Sequence, residues 1–441
     1  MWSDRSAIPE RRLDAAKYGL VAVIAVTTVL PLSFVSPDEA SLQVNIYKYL
    51  AKTGAFVGSM LMIWQFLLGF RGVVSRILPD LSWVTGLHTA LGQFGVPLIV
   101  LHPVFIGLYY AEEKGRNIFA LDLGDGFSEY VLLGMIALGV VALLVVTSAF
   151  LRGRLGFYPW LYTHLSSYLV PPLLFVHSFA LGPTVRGTAL NLWWWFLAAL
   201  VLALFAYRAA HKLGVHAARY RVNRTREVAE DVTEILLEPV GRGVRPAPGQ
   251  FVYLRPSIPH DAHPFTVSAF DDETGTLGVT AKKAGPLTAR LQDARPDDPM
   301  LLDGPFGVFT RPAMATDLPV VIVAGGIGIT AFRRLWQRLE RDRDREAHLF
   351  YANETFAEIA YRDELESLEH VRLVHVLNDE PDFEGEQGLV TLDVLRRHLP
   401  RDPRDYQFLL CGPPPMVTNL GEELAEAGVP ARHVRHELFE S

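Results

Sequence analysis

Four histidines lie inside two long apolar segments in the N-terminal half of this sequence. They are His88 and His102 in the first segment, and His164 and His177 in the second. An imidazole placed in hydrocarbon costs several kcal/mol unless it has a partner. The chemistry open to a neutral imidazole in such a place is metal ligation, hydrogen bonding between helices, or proton transfer.

The two segments belong to a series of apolar stretches, each roughly long enough to span a membrane. Six such stretches lie near 18–36, 46–70, 84–110, 128–150, 160–181 and 189–210. Because the first is followed by five more, we do not interpret it as a cleaved signal peptide. Lys and Arg concentrate before the first stretch and after the second, fourth and sixth. The positive-inside rule therefore predicts a multi-pass membrane protein with the N-terminus and the C-terminal half cytoplasmic. We expect the membrane to be the inner (plasma) membrane.

The spacing of the histidines matches two depths in such a bundle. The two histidines of the first segment are 14 positions apart, and those of the second segment are 13 apart. Either spacing is roughly 20 Å along a helix. The two segments run in the same direction, so His88 and His164 are expected near the inner side, and His102 and His177 near the outer side. Two levels with one histidine from each of two helices suit two bis-histidine b-type haems. The alternative is that the histidines hydrogen-bond between helices or line a proton path.

The spacing of 13 is difficult for an ideal helix. At ~100° per residue, 14 positions return to within about 40° of the same face, whereas 13 positions leave the side chain about 140° away. Pro171 and Pro172 lie between His164 and His177, and proline breaks the helical hydrogen-bond ladder. We therefore expect a local distortion that turns His177 towards the face of His164.

Composition narrows the function classes for the whole chain of 441 residues. Half of the residues are hydrophobic, and the net charge of −7 gives no indication of nucleic-acid binding. The single cysteine, Cys411, excludes an intramolecular disulfide and a cysteine-rich metal site. Charged residues become frequent from about residue 215 onward, so we expect a membrane half followed by a half outside the membrane.

The C-terminal half divides into two patterns. Residues 215–312 read as short strands separated by Gly and Pro turns, which is typical of a small antiparallel β-barrel. From residue 318 strands alternate with helices, which predicts a doubly wound parallel sheet. Its first strand leads into a Gly-rich turn whose backbone N–H groups can face a pyrophosphate.

Four motifs in this half carry a resemblance to known proteins. They are HPFT at 263–266, GPFG at 304–307, GGIGIT at 325–330 and CGPPPM at 411–416. In this order they resemble the motifs of the ferredoxin–NADP reductase-like superfamily. With the apolar stretches and the histidine pairs ahead of them, the whole chain resembles the ferric reductase and NADPH oxidase family in a compact prokaryotic form.

This resemblance implies a multidomain fold and an activity. An all-α six-helix transmembrane haem domain would occupy 1–213, an antiparallel β-barrel FAD-binding domain 214–313, and an α/β doubly wound NAD(P)-binding domain 314–441. The four histidines would ligate haem iron. The implied activity is that of an oxidoreductase of the NAD(P)H oxidase or ferric-chelate reductase type, in which electrons pass from cytosolic NADH or NADPH through FAD and two haems to an acceptor on the opposite side.

The resemblance also implies cofactor contacts in the C-terminal half. The HPFT motif would line the isoalloxazine ring, with the Thr266 hydroxyl near the reactive nitrogen of the flavin. The other implied residues on the flavin side are His263, Pro264, Phe265, Ser268, Lys282, Gly285 and Thr288. The implied nucleotide-binding residues are Gly325, Gly326, Gly328, Thr330, Cys411, Gly412 and Pro413. The implied catalytic residues are Thr266, Cys411, Glu437 and Phe439.

Two positions depart from the pattern of the family. The Gly-rich motif often ends in proline, and here that position is Ala331. Many relatives end on, or very near, an aromatic residue that covers the flavin. Here Phe439 is followed by two more residues, which leaves its covering role open.

The donor and the acceptor stay open at this point. Glu354 would repel a 2′-phosphate and favours NADH or dual use, whereas Arg333 and Arg334 nearby favour NADPH. The acceptor would be molecular oxygen, a ferric chelate or a periplasmic protein. The acidic residues of the loop 111–127 could attract cations, but we favour an ordinary solvated surface.

Two other function classes remain as alternatives. A flavin reductase merely anchored to the membrane would carry FAD without haem, and it leaves the four histidines unexplained. A proton or ion channel would need polar residues along several spans, and the first, fourth and sixth stretches contain almost none.

Overall fold

The computed structural model of the protein describes residues 10–37, 39–75, 77–122, 124–215, 217–258 and 260–438. The chain divides into two compact units. Residues 11–209 form the first unit, and the chain from residue 210 onward forms the body of the second.

The described part of the first unit is built from helices. In chain order they are α1 (Glu10–Val29), α2 (Leu42–Leu68), α3 (Arg71–Val74), α4 (Leu81–Lys114), α5 (Gly126–Phe150), α6 (Phe157–Leu165), α7 (Val170–Leu181), α8 (Pro183–Arg186) and α9 (Leu190–Lys212). A 3-10 turn, Ser166–Leu169, joins α6 to α7. Helix α2 contains a π-helical turn at Gly54–Gly58, and α5 ends in another at Val146–Phe150.

Polar side chains determine where the two central helices begin. The Asp80 carboxylate accepts the backbone N–H of Trp83 at the start of α4 and pairs with Lys17 at 2.6 Å. The Asp125 carboxylate accepts the N–H of Phe127 at the start of α5. Such N-caps satisfy N–H groups that a helix leaves without partners, and each contributes about 1 kcal/mol.

Five helical segments in the described part of the chain are long and apolar enough to cross a membrane. They are Arg12–Phe34, Leu42–Leu68, Leu81–Lys114, Gly126–Phe150 and Leu190–Lys212. The predicted stretch 160–181 is not among them, so the predicted count of six helices is not confirmed. That stretch is divided between α6 and α7, and its two histidines, two prolines and several hydroxyls make it less apolar than the others.

Two glycines bring α2 close to α4. A Cβ added to Gly54 would lie 2.5 Å from the backbone nitrogen of His102, and one added to Gly58 would lie 2.8 Å from the Cα of Ile99. Larger residues would push the helices apart, which is why small residues four apart are typical of close helix packing in membranes. The backbone of α2 is thereby held against the part of α4 that carries His102.

The second unit begins with a closed antiparallel barrel. Its strands are β1 (Ala218–Ala229), β2 (Val232–Pro239), β3 (Phe251–Arg255), β4 (His263–Phe270), β5 (Leu277–Lys282) and β6 (Pro299–Phe306), in the order β1-β2-β5-β4-β3-β6. Alternate residues of each strand point inwards, and Ile235, Val252 and Leu302 are fully buried in the core. The predicted barrel is confirmed.

A parallel sheet follows the barrel. Its strands are β7 (Val320–Gly325), β8 (Ala347–Asn353), β9 (Arg372–Leu377), β10 (Glu386–Gln387), β11 (Gln407–Gly412) and β12 (Val434–Leu438), in the order β10-β9-β8-β7-β11-β12. The helices of the second unit are α10 (Pro286–Gln292), α11 (Arg311–Ala315), α12 (Arg333–Arg341), α13 (Arg362–Glu366), α14 (Leu392–His398) and α15 (Pro414–Glu426). The predicted doubly wound nucleotide-binding fold is confirmed. Strand β7 lies inside the sheet, between β8 and β11, so the strand order reverses at its edge with β11.

A buried ion pair joins the sheet to the barrel. The Arg333 guanidinium of α12 pairs with Glu234 of β2 and, at 2.8 Å, with Glu364 of α13. The Glu234 side chain is 4% exposed and that of Arg333 is 11% exposed. Glu234 also pairs with Arg226 of β1 at 2.9 Å, but the Arg226 side chain is 56% exposed. Removing Arg333 would leave the buried Glu234 carboxylate with that exposed arginine alone, which would destabilise the fold. The pair therefore holds the barrel in a defined position on the sheet.

Candidate functional site

The four histidines come together in two pairs. The ring centroids of His88 and His164 are 6.3 Å apart, and those of His102 and His177 are 6.2 Å apart. Each pair takes one histidine from α4 and one from the segment formed by α6 and α7. These are the pairs that the spacing in the sequence predicts for the two levels.

Three of the four histidines have their Nδ1 atom bonded to a backbone carbonyl. The pairs are His88 with Gln65 at 2.7 Å, His102 with Ala51 at 3.2 Å, and His177 with Tyr130 at 2.7 Å. A carbonyl oxygen only accepts, so Nδ1 must carry the proton in each of these imidazoles. The lone pair then lies on Nε2, which is the arrangement of a histidine that ligates a metal.

His164 differs from the other three histidines. Its Nδ1 lies 3.4 Å from the Ser148 hydroxyl oxygen, and its ring stacks on the Trp160 indole at 5.0 Å between centroids. The Trp160 Nε1–H donates to the same Ser148 oxygen at 3.2 Å. In the inner pair, the Nδ1 partner is therefore a backbone carbonyl for His88 and a side-chain hydroxyl for His164.

The geometry of both pairs fits a bis-histidine haem. Metal–imidazole bonds of about 2 Å on opposite sides of one iron place the ring centroids roughly 6 Å apart. Within the described ranges, no group of three or more His, Cys, Asp and Glu side chains could hold a metal ion. A haem supplies its own equatorial nitrogens, so two imidazoles at each level are a sufficient ligand set.

The 3-10 turn between α6 and α7 accounts for the difficult spacing of 13. A 3-10 helix turns about 120° per residue, so four such residues among the 13 steps reduce the angle between the two side chains from about 140° to about 60°. Pro171 and Pro172 have no N–H to offer the carbonyls of Ser167 and Tyr168, and the Val170 N–H bonds to Ser167 instead.

Gly134 allows the close approach of α5 to the outer pair. A Cβ added there would lie 2.7 Å from Cε1 and Nδ1 of His177. Gly134 is one helical turn after Tyr130, whose carbonyl accepts from the same imidazole. The glycine thus makes room for the ring where the carbonyl orients it.

In the second unit, the two glycine-containing motifs meet at the reversal of strand order. Cys411 of β11 pairs in register with Ala324 of β7. A Cβ added to Gly328 would overlap the backbone carbonyl of Cys411, and one added to Gly325 would lie 2.7 Å from Pro413. Open α/β sheets bind ligands outside the carboxyl ends of the strands at such a reversal.

The Gly-rich turn is held by its own threonine. Gly326 has φ +50°, which favours glycine, and it begins a 3-10 turn that runs to Ala331. The Thr330 hydroxyl is buried and donates to the carbonyl of Ile327 at 2.9 Å. Gly412 lies directly opposite Gly325, since a Cβ on Gly412 would lie 2.9 Å from the Gly325 nitrogen.

The HPFT motif is part of β4, and its residues alternate between two faces. Phe265 is in the barrel core, whereas Thr266 and Ser268 lie on the opposite face. Ser268 is fully buried and bonds to the Thr280 hydroxyl at 3.0 Å. His263 is half-buried and Pro264 is exposed. Only part of the predicted flavin-contacting set therefore shares one face.

The other residues predicted on the flavin side lie around helix α10. Lys282 pairs with Glu358 at 3.3 Å. The backbone N–H groups of Ala284 and Gly285 both donate to the Thr288 hydroxyl at 2.9 Å. Thr288 thus closes the turn that begins α10.

Cys411 and Glu437 are neighbours across β11 and β12, where they pair in register. Burial raises the pKa of the Cys411 thiol well above its usual value, and the Glu437 carboxylate adds to the effect. The thiol therefore stays protonated at neutral pH. Burial also raises the pKa of Glu437 to about 7. Phe439, the fourth residue predicted to be catalytic, lies outside the described residues.

Comparison with known families identifies both parts of the chain. Residues 54–175 match the model of the ferric reductase like transmembrane component, and residues 322–421 match that of the oxidoreductase NAD-binding domain. The chain is a fusion of a ferric reductase like transmembrane part and an oxidoreductase NAD-binding part. Both matches indicate an oxidoreductase, and the first, with the apolar helices, indicates a membrane protein.

The curated relatives match only part of this chain. It is 32% identical to NADH-cytochrome b5 reductase 1 of Aspergillus terreus over 179 residues, which are 37% of this chain and 60% of the relative. It is 31% identical to NADH–cytochrome b5 reductase 1 of Arabidopsis thaliana over 176 residues, 37% of this chain and 62% of the relative. The fusion thus spans about three fifths of these relatives.

A solved structure is also similar to the fusion. It is the cytochrome b5 reductase domain of Ulva prolifera nitrate reductase, at 22% identity and a TM-score of 0.44, covering 51% of this chain and 98% of that one.

Several residues that build the site of this fusion could not be singled out from sequence. Ser148 and Gly134 lie beside the histidines only because a separate helix, α5, brings them there. Trp160 is one helical turn before His164 on α6, but its contact with Ser148 is between helices. Gly54 and Gly58 did carry a signal, since they form a G-x-x-x-G pattern in an apolar segment.

We expect Gly134→Ala to disturb the outer histidine pair. The new methyl group would overlap the His177 ring and force it away from Tyr130, so the haem that His102 and His177 would hold should be lost. Haem content per polypeptide measures this. Gly139→Ala on the same helix is the matched control, because a Cβ there has nothing within 4 Å. An unchanged haem content in Gly134→Ala would contradict the role of this contact.

We expect Glu437 to make the stability of the second unit depend on pH. Its folded-state pKa is about 7, so the folded state binds more protons than the unfolded state between about pH 4.5 and 7. The stabilisation is complete below the unfolded pKa and is lost as the pH rises through 7, by roughly 2–3 kcal/mol.

Hydrogen exchange of the β11 amides, corrected for intrinsic rates, measures this loss in the full chain. Glu437→Gln should abolish the pH dependence, and Glu426→Gln on α15, with an exposed side chain, should leave it in place. The same slope in wild type and Glu437→Gln would disprove the assignment.

Proposed function

We propose that this protein carries electrons across the inner membrane, from cytoplasmic NADH through FAD and two b-type haems to a small-molecule acceptor on the opposite side. The acceptor class is molecular oxygen or a ferric chelate. The observation that carries the proposal is the pairing of four imidazoles at two levels, each with Nδ1 engaged by an oxygen. The same chain contains a nucleotide-binding sheet, where NADH, the proposed source of electrons, would bind.

When bound, FAD supplies the conversion of a two-electron donor into single electrons, and the haems supply one-electron carriers. The protein contributes ligands, orientation and exclusion of water. The Nε2 atoms of His88 and His164 would hold the inner haem, and those of His102 and His177 the outer haem. In the second unit, the packing of Gly328 against Cys411 keeps an open backbone edge where a nucleotide would bind.

Two arginines that favoured NADPH in the sequence are engaged elsewhere. Arg333 is bound to Glu234 and Glu364. Arg334 donates to the backbone carbonyl of Pro246 at 2.8 Å and lies over the Phe270 ring. The side chain of Glu354, next to the end of β8, is exposed. A 2′-phosphate there would meet a carboxylate rather than an arginine, which supports NADH as the donor.

The acidic residues of the loop 111–127 have local structural partners. Asp125 pairs with Arg116 and caps α5. Asp122 accepts the backbone N–H of Gly124 at 3.0 Å. These contacts support a solvated surface rather than a cation-binding site, so the proposal includes no dedicated iron site on this loop.

An anaerobic absorbance spectrum of the purified, FAD-loaded protein tests the proposal. Addition of NADH should produce the bands of reduced b-type haem, with little reduction by NADPH at the same concentration. Loss of the bands in air, with superoxide formed, would identify oxygen as the acceptor. Bands that persist in air until a ferric chelate is added would identify the chelate. The absence of any haem band would refute the proposal and leave a membrane-anchored flavin reductase.

We expect His177→Leu to lose one haem and to keep NADH oxidation by the second unit with an artificial acceptor. Leucine offers no lone pair to iron, whereas the nucleotide-binding motifs lie in a different unit. The haem-to-flavin ratio should fall from about two to about one. Val176→Ala, a neighbouring position with an exposed side chain, is the matched control and should keep both haems. Retention of both haems in His177→Leu would make the ligand assignment wrong.

A further inference from the structure

The environment of His164 is unlike that of the other three histidines. Backbone carbonyls accept from His88, His102 and His177. The partner of the His164 Nδ1 is a side-chain hydroxyl, Ser148 Oγ, at the longer distance of 3.4 Å. A hydroxyl can donate as well as accept, so Ser148 alone does not determine the tautomer of His164 as a carbonyl would.

Trp160 donates to the same hydroxyl. An indole N–H only donates, so Ser148 Oγ accepts from Trp160 Nε1, 3.2 Å away. The hydroxyl oxygen has a second lone pair, and this lone pair would accept from Nδ1–H when the Nε2 atom of His164 holds iron. The same indole stacks on the His164 ring, with an interplanar angle of 29°, and this stacking limits rotation of the imidazole. Arg152 lies 4.2 Å above the Trp160 ring, and a cation over an indole is attracted to it by roughly 0.5–2 kcal/mol.

The location of Ser148 supports a functional role. It lies in the π-helical turn Val146–Phe150 at the end of α5, and single π-helical turns inside α-helices occur frequently at functional sites. The adjacent hydroxyl, Thr147 Oγ1, bonds to carbonyls of its own helix, Leu143 at 2.8 Å and Leu144 at 3.2 Å. Of these two neighbouring hydroxyls, only Ser148 contacts another helix through His164.

We propose that Ser148 and Trp160 are positioning residues for His164, and that they set the reduction potential of the haem that His88 and His164 would hold. This inference rests on the proposed function. Hydrogen bonding from Nδ1–H makes an imidazole a stronger donor to ferric iron. Ser148 already accepts from Trp160, so it is a weaker acceptor for His164 than a free hydroxyl. The pair thereby keeps the inner haem easier to reduce than a carbonyl partner would.

Opposite shifts are expected from the two substitutions. Ser148→Ala removes the acceptor, so at a fixed potential the ratio of reduced to oxidised inner haem should rise about two- to fivefold, which is about 20–40 mV at 59 mV per tenfold change. Trp160→Phe keeps an aromatic ring against His164 but frees the Ser148 oxygen, so the ratio should fall by a similar factor. Ser148→Thr keeps the hydroxyl and should restore the wild-type value.

The experiment is a spectroscopic redox titration of the full-length, haem-loaded protein in detergent, with the low-spin haem signal recorded in parallel by electron paramagnetic resonance. The single haem retained by His177→Leu identifies the inner signal. Thr147→Val is the matched control and should leave both midpoints unchanged. The inner signal should change in Ser148→Ala and Trp160→Phe, and the outer signal should not.

Unchanged inner midpoints in Ser148→Ala and Trp160→Phe, with both haems present, would overturn the inference while leaving the proposed function intact. An equal shift in Thr147→Val would also overturn it. If Ser148→Ala loses the inner haem, Trp160→Phe decides: a lowered midpoint supports the inference, and an unchanged one overturns it. If wild type binds no haem, the proposed function fails first, and the positioning role fails with it.

Discussion

The first unit depends on one constraint, that an imidazole among apolar helices needs a hydrogen-bond partner for each polar nitrogen. The Nδ1 atoms meet this need with oxygens of α2 and α5, which lie on either side of the histidine-bearing segments. That requirement fixes the distance between helices. It explains why glycine occurs where α2 meets His102 and where α5 meets His177.

In the second unit the related constraint is that a buried charge needs a partner of opposite charge. Glu234 of the barrel is almost fully buried and would be costly there without Arg333 of the sheet. The same arginine also pairs with Glu364, so one side chain both positions the barrel and, under the proposed function, is engaged away from a nucleotide phosphate. Its ring contact with Tyr361, whose hydroxyl bonds to Thr280 of the barrel, extends the network across both layers.

Local patterns in the sequence predicted the elements, and contacts between distant elements were harder to predict. The barrel, the parallel sheet and the Gly-rich turn follow from period-two and strand–helix patterns, and each is present. The burial of Phe265 in the barrel core follows from strand alternation, yet the resemblance placed it on the flavin with Thr266. Strand β12 and helix α15 were not predicted, although proline at the start and Gly428 after the end of α15 are ordinary helix signals. The contact of Trp160 with Ser148 joins two elements and has no counterpart in a local pattern.

The unequal spacings of 14 and 13 become equivalent once the 3-10 turn is included. Fourteen α-helical steps from His88 to His102 rise roughly 21 Å. Nine α-helical and four 3-10 steps from His164 to His177 also rise roughly 21 Å, because each 3-10 residue rises about 2.0 Å. The 3-10 turn thus corrects the depth of His177 as well as the direction of its side chain. Because the turn rises further per residue, 13 steps from His164 to His177 match the 14 steps from His88 to His102. Pro171 and Pro172 stabilise this arrangement, because an uninterrupted helix there would require N–H groups that proline does not have.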